Sequence, residues 1–215
     1  ALVAVPVLAA VFSPTDAVGI FSLSALASLV TVVPRAWHQA ERTHTGQLLV
    51  GAVVTLPVGV YVLSAAPAEA LRWAMSTVVL VTVVALALGW RRRGADRRRS
   101  RVAVGAATGI IGGATGLTGP VVVLFQLSGR EGPERMRANI ALFLSLLSVL
   151  TLPLLVVTDV LGGRQAAIGL VLLPVYTVAT LVGQALFRPG DERLYRVVAY
   201  VAVAAAGIVG LPVWG

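Results

Sequence analysis

One apolar stretch, residues 101–129, is long enough to cross a membrane but is interrupted at its centre. Four glycines lie within Gly112–Gly119, and Pro120 follows them directly. Such a centre weakens a continuous spanning helix, whereas two half-helices that meet near the bilayer midplane require one. A helix that begins at Pro120 directs its unbonded N–H groups, and the positive end of its dipole, into the gap. The stretch therefore predicts a broken or re-entrant span with a midplane site for an anion.

The composition of the chain indicates an all-α integral membrane protein. Of the 215 residues, 58% are hydrophobic and only 12% are charged, and the mean hydropathy is +0.92. Several charge-free stretches of about 18 to 24 residues match the length of a transmembrane helix. Lipid offers the backbone no hydrogen-bond partners, so these stretches are expected to be helical. Cysteine is absent, which excludes a disulfide framework and thiol chemistry.

The net charge of +8 is concentrated in an arginine-rich loop, residues 91–101, that lies between two apolar segments and holds seven of the 17 basic residues. We interpret this loop as a cytoplasmic anchor under the positive-inside rule, in contact with anionic lipid. Nucleic-acid binding is not expected, because no aromatic side chains alternate with the arginines.

Two related halves are predicted, each with three transmembrane helices and one re-entrant half-helix hairpin. Pro6 begins PVLAAVF and Pro120 begins PVVVLFQ, while Ser13-Pro14 and Gly132-Pro133 each precede a long apolar segment. We assign residues 1–90 to the first repeat, 91–101 to the loop and 102–215 to the second repeat. No signal peptide is visible, the chain begins inside an apolar run without Met, and part of an N-terminal half-helix is expected to be missing. The predicted segments are Ala1–Phe12, Ala17–Val33, Leu48–Leu63, Leu71–Trp90, Val102–Leu127, Ala138–Thr158, Gln165–Phe187 and Leu194–Val213.

The distribution of arginines favours inverted repeats. If Val102–Leu127 crosses the membrane once, ten arginines lie inside and seven outside. If it enters and returns to the same side, 15 lie inside and only Arg72 and Arg164 lie outside. The half-helices Val102–Gly112 and Pro120–Ser128 would then be about 16 and 14 Å long, roughly half the bilayer core. A plain bundle of seven or eight transmembrane helices is the alternative.

The predicted substrate site consists of the glycine-rich turn, its hydroxyl groups and the opposing half-helix. Glycines allow backbone N–H groups to face inward, and Thr118 is placed to cap the following helix. Close helix packing is the competing explanation, and it is favoured for Gly105 and Gly109. The turn residues are Gly112, Gly113, Thr115, Gly116, Thr118, Gly119 and Pro120.

Pro6 is the matching position in the first half, and the turn before it would precede Ala1. Asn139 and Gln184 are further candidates, because polar side chains within the spans are few. No charged residue lies in the middle of a span, so a carboxylate proton relay is not visible, and we expect membrane voltage to drive export of an anion. No metal, cofactor or catalytic arrangement is expected. The other polar candidates are Ser22, Ser24, Ser28, Gln126, Ser145 and Tyr176.

Three segments resemble the sulfite exporter TauE/SafE family. GIIGGATGLTGPVVVLF, RMRANIALFLSLLSV and LVLLPVYTVATLVGQALF are similar to its second half, and PVLAAVFSPTDAVGIFSLSALASL is similar to its first repeat. The resemblance implies transport of sulfite or an organosulfonate across the bacterial inner membrane. It also implies a site at Gly112–Pro120 with Pro6 opposite.

A secondary transporter of a small sulfur-containing anion is therefore the leading interpretation, and an enzyme is not supported. A channel-like facilitator with paired half-helices is the alternative. The expected partners are the anion and membrane lipid, and homo-oligomerisation stays open.

Overall fold

A computed structural model describes residues 2–88, 98–126, 132–186 and 192–211, and every regular element in them is helical. The all-α prediction is thereby confirmed. The helices are α1 (Ala4–Val11), α2 (Pro14–Ser24), α3 (Ala27–Thr31), α4 (Val33–Gln39), α5 (Arg42–Ala65), α6 (Ala68–Ala87), α7 (Arg98–Thr115), α8 (Gly119–Gln126), α9 (Pro133–Val157), α10 (Gly163–Leu186) and α11 (Glu192–Val209).

Four helices among the described residues, namely α5, α6, α9 and α10, are long and apolar enough to cross a membrane. A bent pair within α2–α4 would make a fifth. α10 lies at the periphery, since only 6% of its apolar window is buried in the protein.

Two helices begin three and five residues before the predicted segments Ala17–Val33 and Ala138–Thr158, at the proline that precedes each segment. α2 begins at Pro14, and the Ser13 hydroxyl accepts a hydrogen bond from the Asp16 N–H (3.1 Å). α9 begins at Pro133 with Gly132 in the N-cap position. Proline suits both starts because its fixed φ is helical and its missing N–H would have no intrahelical partner there.

The predicted segment Ala17–Val33 is helical but is not one straight helix. The chain forms three helical pieces there, and Pro14–Leu29 meets Val33–Gln39 at an angle of 64°. Pro34 lies in the first turn of α4, where its missing N–H and its ring oppose continuation of the preceding helix.

The interruption predicted in residues 102–127 is present, but it is shorter than expected. α7 runs to Thr115 and α8 begins at Gly119, so Gly112 and Gly113 are helical. α7 also begins at Arg98 and has 18 residues, which corresponds to about 27 Å rather than half a bilayer. The apolar part of α7 begins at Val102, as predicted, and the arginine-rich turn from Arg98 to Arg101 lengthens the helix at its start.

Helices α5 and α7 pack with their backbones in close contact, as predicted for the small residues of α7. Gly105 lies against the Leu48 carbonyl, and Gly109 lies against the Ala52 carbonyl. The Thr55 hydroxyl donates to the Ala106 carbonyl across the same contact (2.7 Å). The assignment of Gly105 and Gly109 to helix packing is confirmed.

Several helix–helix contacts of the bundle occur in pairs. α1 packs on α2 and α8 packs on α9; α10 packs on α2 and α5 packs on α9. Likewise, α1 contacts α11 and α8 contacts α6, while α6 and α11 contact each other. This pattern brings the first residues of α1 and α8 to the same region of the bundle.

Candidate functional site

The beginnings of α1 and α8 border one open cavity of about 540 Å³. Its lining side chains carry no charge and are apolar apart from Tyr176 of α10. The Tyr176 ring packs edge-on against Phe21 of α2, with ring centroids 5.9 Å apart. The cavity is lined by Leu2, Val3, Ala4, Val7, Phe21, Gly119, Leu144 and Tyr176.

Both helix beginnings supply unbonded backbone donors. The first four N–H groups of a helix have no intrahelical acceptor, and the positive end of the helix dipole lies beside them. Val3 precedes α1 without a side-chain cap, and Gly119 is the first residue of α8. An anion in the cavity therefore meets two positive helix ends, and none of the described residues that line the cavity is basic.

The break between α7 and α8 depends on a left-handed residue. Gly116 has φ +70°, and its N–H still donates to the Gly112 carbonyl (2.7 Å), which closes the last turn of α7. Only glycine adopts this conformation without steric cost. A side chain at Gly116 would also lie 3.0 Å from the Val18 side chain of α2. The chain therefore leaves α7 at Gly116 and begins α8 three residues later.

The two threonines of the turn have separate contacts. The Thr115 hydroxyl donates to the Ile111 carbonyl (2.6 Å) and accepts from the Leu117 N–H (3.2 Å). Thr118 directly precedes α8, and its methyl group lies over Gly112, where a Cβ would collide with it. Gly112 thus allows the turn to fold back over α7.

The remaining predicted residues are divided between packing and the cavity. Gly113 packs against the backbone of Gly59 on α5, and Pro120 is buried in the first turn of α8. Pro6 is buried in the first turn of α1, which begins two residues before it, and lies beside Gly210, which directly follows α11. Gly119 is the predicted site residue that lines the cavity directly.

Asn139 does not line the cavity. The Asn139 side chain is fully buried near the beginning of α9, and its Oδ1 accepts a hydrogen bond from the Glu41 N–H (2.7 Å). This bond connects α9 to the start of α5. Gln184 lies in α10, and its side chain is outside the described residues.

We expect Asn139→Ala to lower stability by about 0.5–1.5 kcal/mol without changing the apparent affinity for substrate, because the Glu41 N–H loses its acceptor in a part-buried hydrogen bond. Thermal unfolding in detergent and transport KM would measure the two effects. Ser148→Ala on the same helix is the control, since it removes only a local bond to the Leu144 carbonyl. A raised KM with unchanged stability would instead place Asn139 in the substrate site.

Several cavity residues were not predicted from the sequence. Phe21, Leu144 and Val7 lie in ordinary apolar segments, and their positions carry no distinguishing spacing. Tyr176 did carry a signal, because it is one of the few polar side chains within a predicted span. An aromatic ring with a hydroxyl group in an otherwise apolar helix is the pattern that reveals such a residue.

The apolar helix bundle, with four helices among the described residues that are long and apolar enough to cross a bilayer, is that of a multi-pass membrane protein. The profile of the sulfite exporter TauE/SafE family matches residues 1–209, and the chain belongs to that family. The resemblance seen in the sequence is thereby confirmed. Membership in a transporter family is consistent with a protein that is not an enzyme. Searches of curated proteins and of solved structures give no match.

Proposed function

We propose that the protein moves sulfite or a small organosulfonate across the bacterial inner membrane by alternating access. The anion would occupy the cavity between the beginnings of α1 and α8. The observation that carries this proposal is the convergence of these two helix ends on one cavity, whose described lining residues include no basic side chain. The predicted turn residues would contribute through the backbone and hydroxyl groups near Gly119.

The physical basis is recognition of charge by backbone dipoles. A helix N-terminus stabilises a nearby anion by about 0.3–1 kcal/mol when exposed and up to about 2 kcal/mol when partly buried. Two such ends, with N–H groups directed at the oxygen atoms, suit a small oxyanion. Because the donors are part of the backbone, the site binds a charge without a buried cation that would itself require compensation.

The inverted-repeat arrangement is the second part of this proposal. The exchange of partners between equivalent helices supports a duplication. In this arrangement residues 1–90 and 102–215 form the two repeats, and residues 91–101 form a cytoplasmic loop. The arginine distribution supports the re-entrant assignment of α7–α8. Contact of the loop with anionic lipid, and assembly of copies of the chain, remain predictions.

Flux measurements in proteoliposomes would test the proposed function. We expect saturable, voltage-responsive flux of one or more of sulfite, thiosulfate, sulfoacetate and taurine. Non-saturating flux of water or neutral solutes would favour the channel-like facilitator. Absence of any anion flux, from protein that is folded by circular dichroism and gel filtration, would contradict both interpretations.

Thr118→Val should raise the KM for the preferred anion about tenfold or more, because a hydrogen bond to a charged group is worth about 1.5–3 kcal/mol. Thr158→Val is the matched control, since the Thr158 hydroxyl bonds to the Leu154 carbonyl at the end of α9. An unchanged KM in Thr118→Val would remove this hydroxyl from the site and leave the backbone amides as the donors.

A further inference from the structure

A buried histidine lies at the end of α8 that is opposite the cavity. His44, in the first turn of α5, is only 2% exposed, and its ring packs edge-on against Phe125 with centroids 6.3 Å apart. Phe125 is the penultimate residue of α8. An ionisable side chain buried within a spanning helix is costly to retain for packing alone and is typical of a functional site.

Two further polar side chains, one on α5 and one on α8, are also buried. Thr45 and Gln126 are 2% and 4% exposed, and within the described residues the Thr45 Oγ1 and the Gln126 Nε2 have no hydrogen-bond partner. They directly follow His44 and Phe125 in the sequence. Hydroxyl and amide groups of this kind can exchange hydrogen bonds with an imidazole as its protonation state changes.

Several charged side chains lie on the helices around the first turn of α5. Arg101 of α7 donates to Gln47, one turn after His44 (3.3 Å). α8 carries no charged or titratable side chain. The charged and titratable groups around the first turn of α5 lie on α4, at the start of α5, on α7 and on α9. In that order they are Arg35 and His38; Glu41 and Arg42; Arg98, Arg99 and Arg101; and Glu134, Arg135 and Arg137.

α8 connects this buried histidine to the cavity. Gly119 at its first residue lines the cavity, and Phe125 in its last turn contacts His44. The helix has eight residues, so about 12 Å separates its ends. A short helix moves largely as a unit, and a change at one end therefore reaches the other.

We propose that His44 is a proton-binding site whose protonation promotes binding of the anion at the opposite end of α8. A cation beside the last turn of a helix and an anion beside its first turn both interact favourably with the helix dipole. Each ligand thus favours the same position of α8. Because coupling between two sites is reciprocal, the anion should also promote protonation of His44. This link depends on the proposed anion site, whereas proton binding by His44 does not.

The chain offers a matched control, because it contains only two histidines. His38 is exposed on α4. Methanesulfonate is a suitable probe because its charge is constant between pH 5 and 8. In proteoliposomes we expect its KM to fall about fivefold or more from pH 8 to pH 5.5 in the wild type and in His38→Gln. In His44→Gln this pH dependence should disappear. Flux that is independent of pH in the wild type, or equally dependent in His44→Gln, would overturn the proposal.

Histidine-selective NMR measures the proton site without transport. In His38→Gln protein labelled at histidine, the remaining imidazole signals report the protonation of His44. We expect a titration between pH 5 and 8, and we expect saturating methanesulfonate to increase the protonated fraction at a fixed pH. A His44 that stays neutral across this range would overturn the proposal even if flux is normal. If His44 titrates but does not respond to methanesulfonate, the coupling between protonation of His44 and anion binding would be overturned. If His44 titrates normally but no flux is observed, the proposed function would be contradicted instead.

Discussion

Gly105→Ala should destabilise the protein by about 3 kcal/mol, and Gly105→Leu should prevent recovery of folded protein. A Cβ at this position would collide with the Leu48 carbonyl oxygen and would lie 2.8 Å from the Leu48 carbonyl carbon. Both atoms belong to the backbone of α5, so rotation of a side chain cannot relieve the contact. The helices would have to separate, and overpacking by even one methyl group commonly costs 1–3 kcal/mol.

The separation would affect the whole α5–α7 contact and not only one position. Gly51 of α5 faces the Val102 carbonyl, and Gly59 faces Gly113 near the break. The hydrogen bond from Thr55 to the Ala106 carbonyl spans the same contact and would lengthen with it. In a membrane, where apolar burial between helices contributes little, such close packing is a principal source of stability.

Gly46→Ala is the control for this prediction. Gly46 lies on α5, and nothing occupies the space within 4 Å of a Cβ placed on it. Alanine there should leave stability unchanged or increase it by up to about 1 kcal/mol through helix propensity. Thermal unfolding and gel filtration in detergent would compare the variants. Equal melting temperatures for Gly105→Ala and Gly46→Ala would show that α5 and α7 are not in backbone contact.

The features that the sequence predicted best are those with a local physical cause. The helices at Pro14 and Pro133 begin where a cap residue and a proline define a start. The break between α7 and α8 occurs among the glycines because Gly116 needs a left-handed backbone. The spacing of Gly105 and Gly109 predicted their packing, since residues four apart lie on one face of a helix.

The features that the sequence did not predict depend on contacts between distant segments. Gly112 and Gly113 have the composition of a turn but are helical, because Thr118 folds over one and α5 packs on the other. His44 lies outside the predicted apolar segments, yet it is buried against Phe125, 81 positions away in the chain. The cavity is lined by four apolar residues in or just before α1 and by one residue from each of four other helices. No periodicity in the sequence predicts that these residues come together.

Gly119→Asp should abolish anion transport and leave the protein folded. Gly119 is the first residue of α8 at the cavity, and the space within 4 Å of a Cβ at this position is empty. A carboxylate there would occupy the position proposed for the substrate charge, and an acidic side chain at the start of a helix is favourable by about 0.3–1 kcal/mol. Repulsion between two charges about 5 Å apart at an effective dielectric constant of 20 is about 3 kcal/mol, roughly a hundredfold in affinity.

Two variants separate this charge effect from size and from general effects of a new acid. Gly119→Asn has nearly the same shape without the charge, so it should retain most of the transport activity. Gly132→Asp places the same carboxylate at the N-cap of α9. The space around a Cβ at Gly132 is also open, but Gly132 does not line the cavity. If transport in Gly119→Asp were normal with the carboxylate ionised, the anion could not bind at the beginning of α8. Recovery of transport at low pH would support the site, because protonation removes the competing charge while its volume remains.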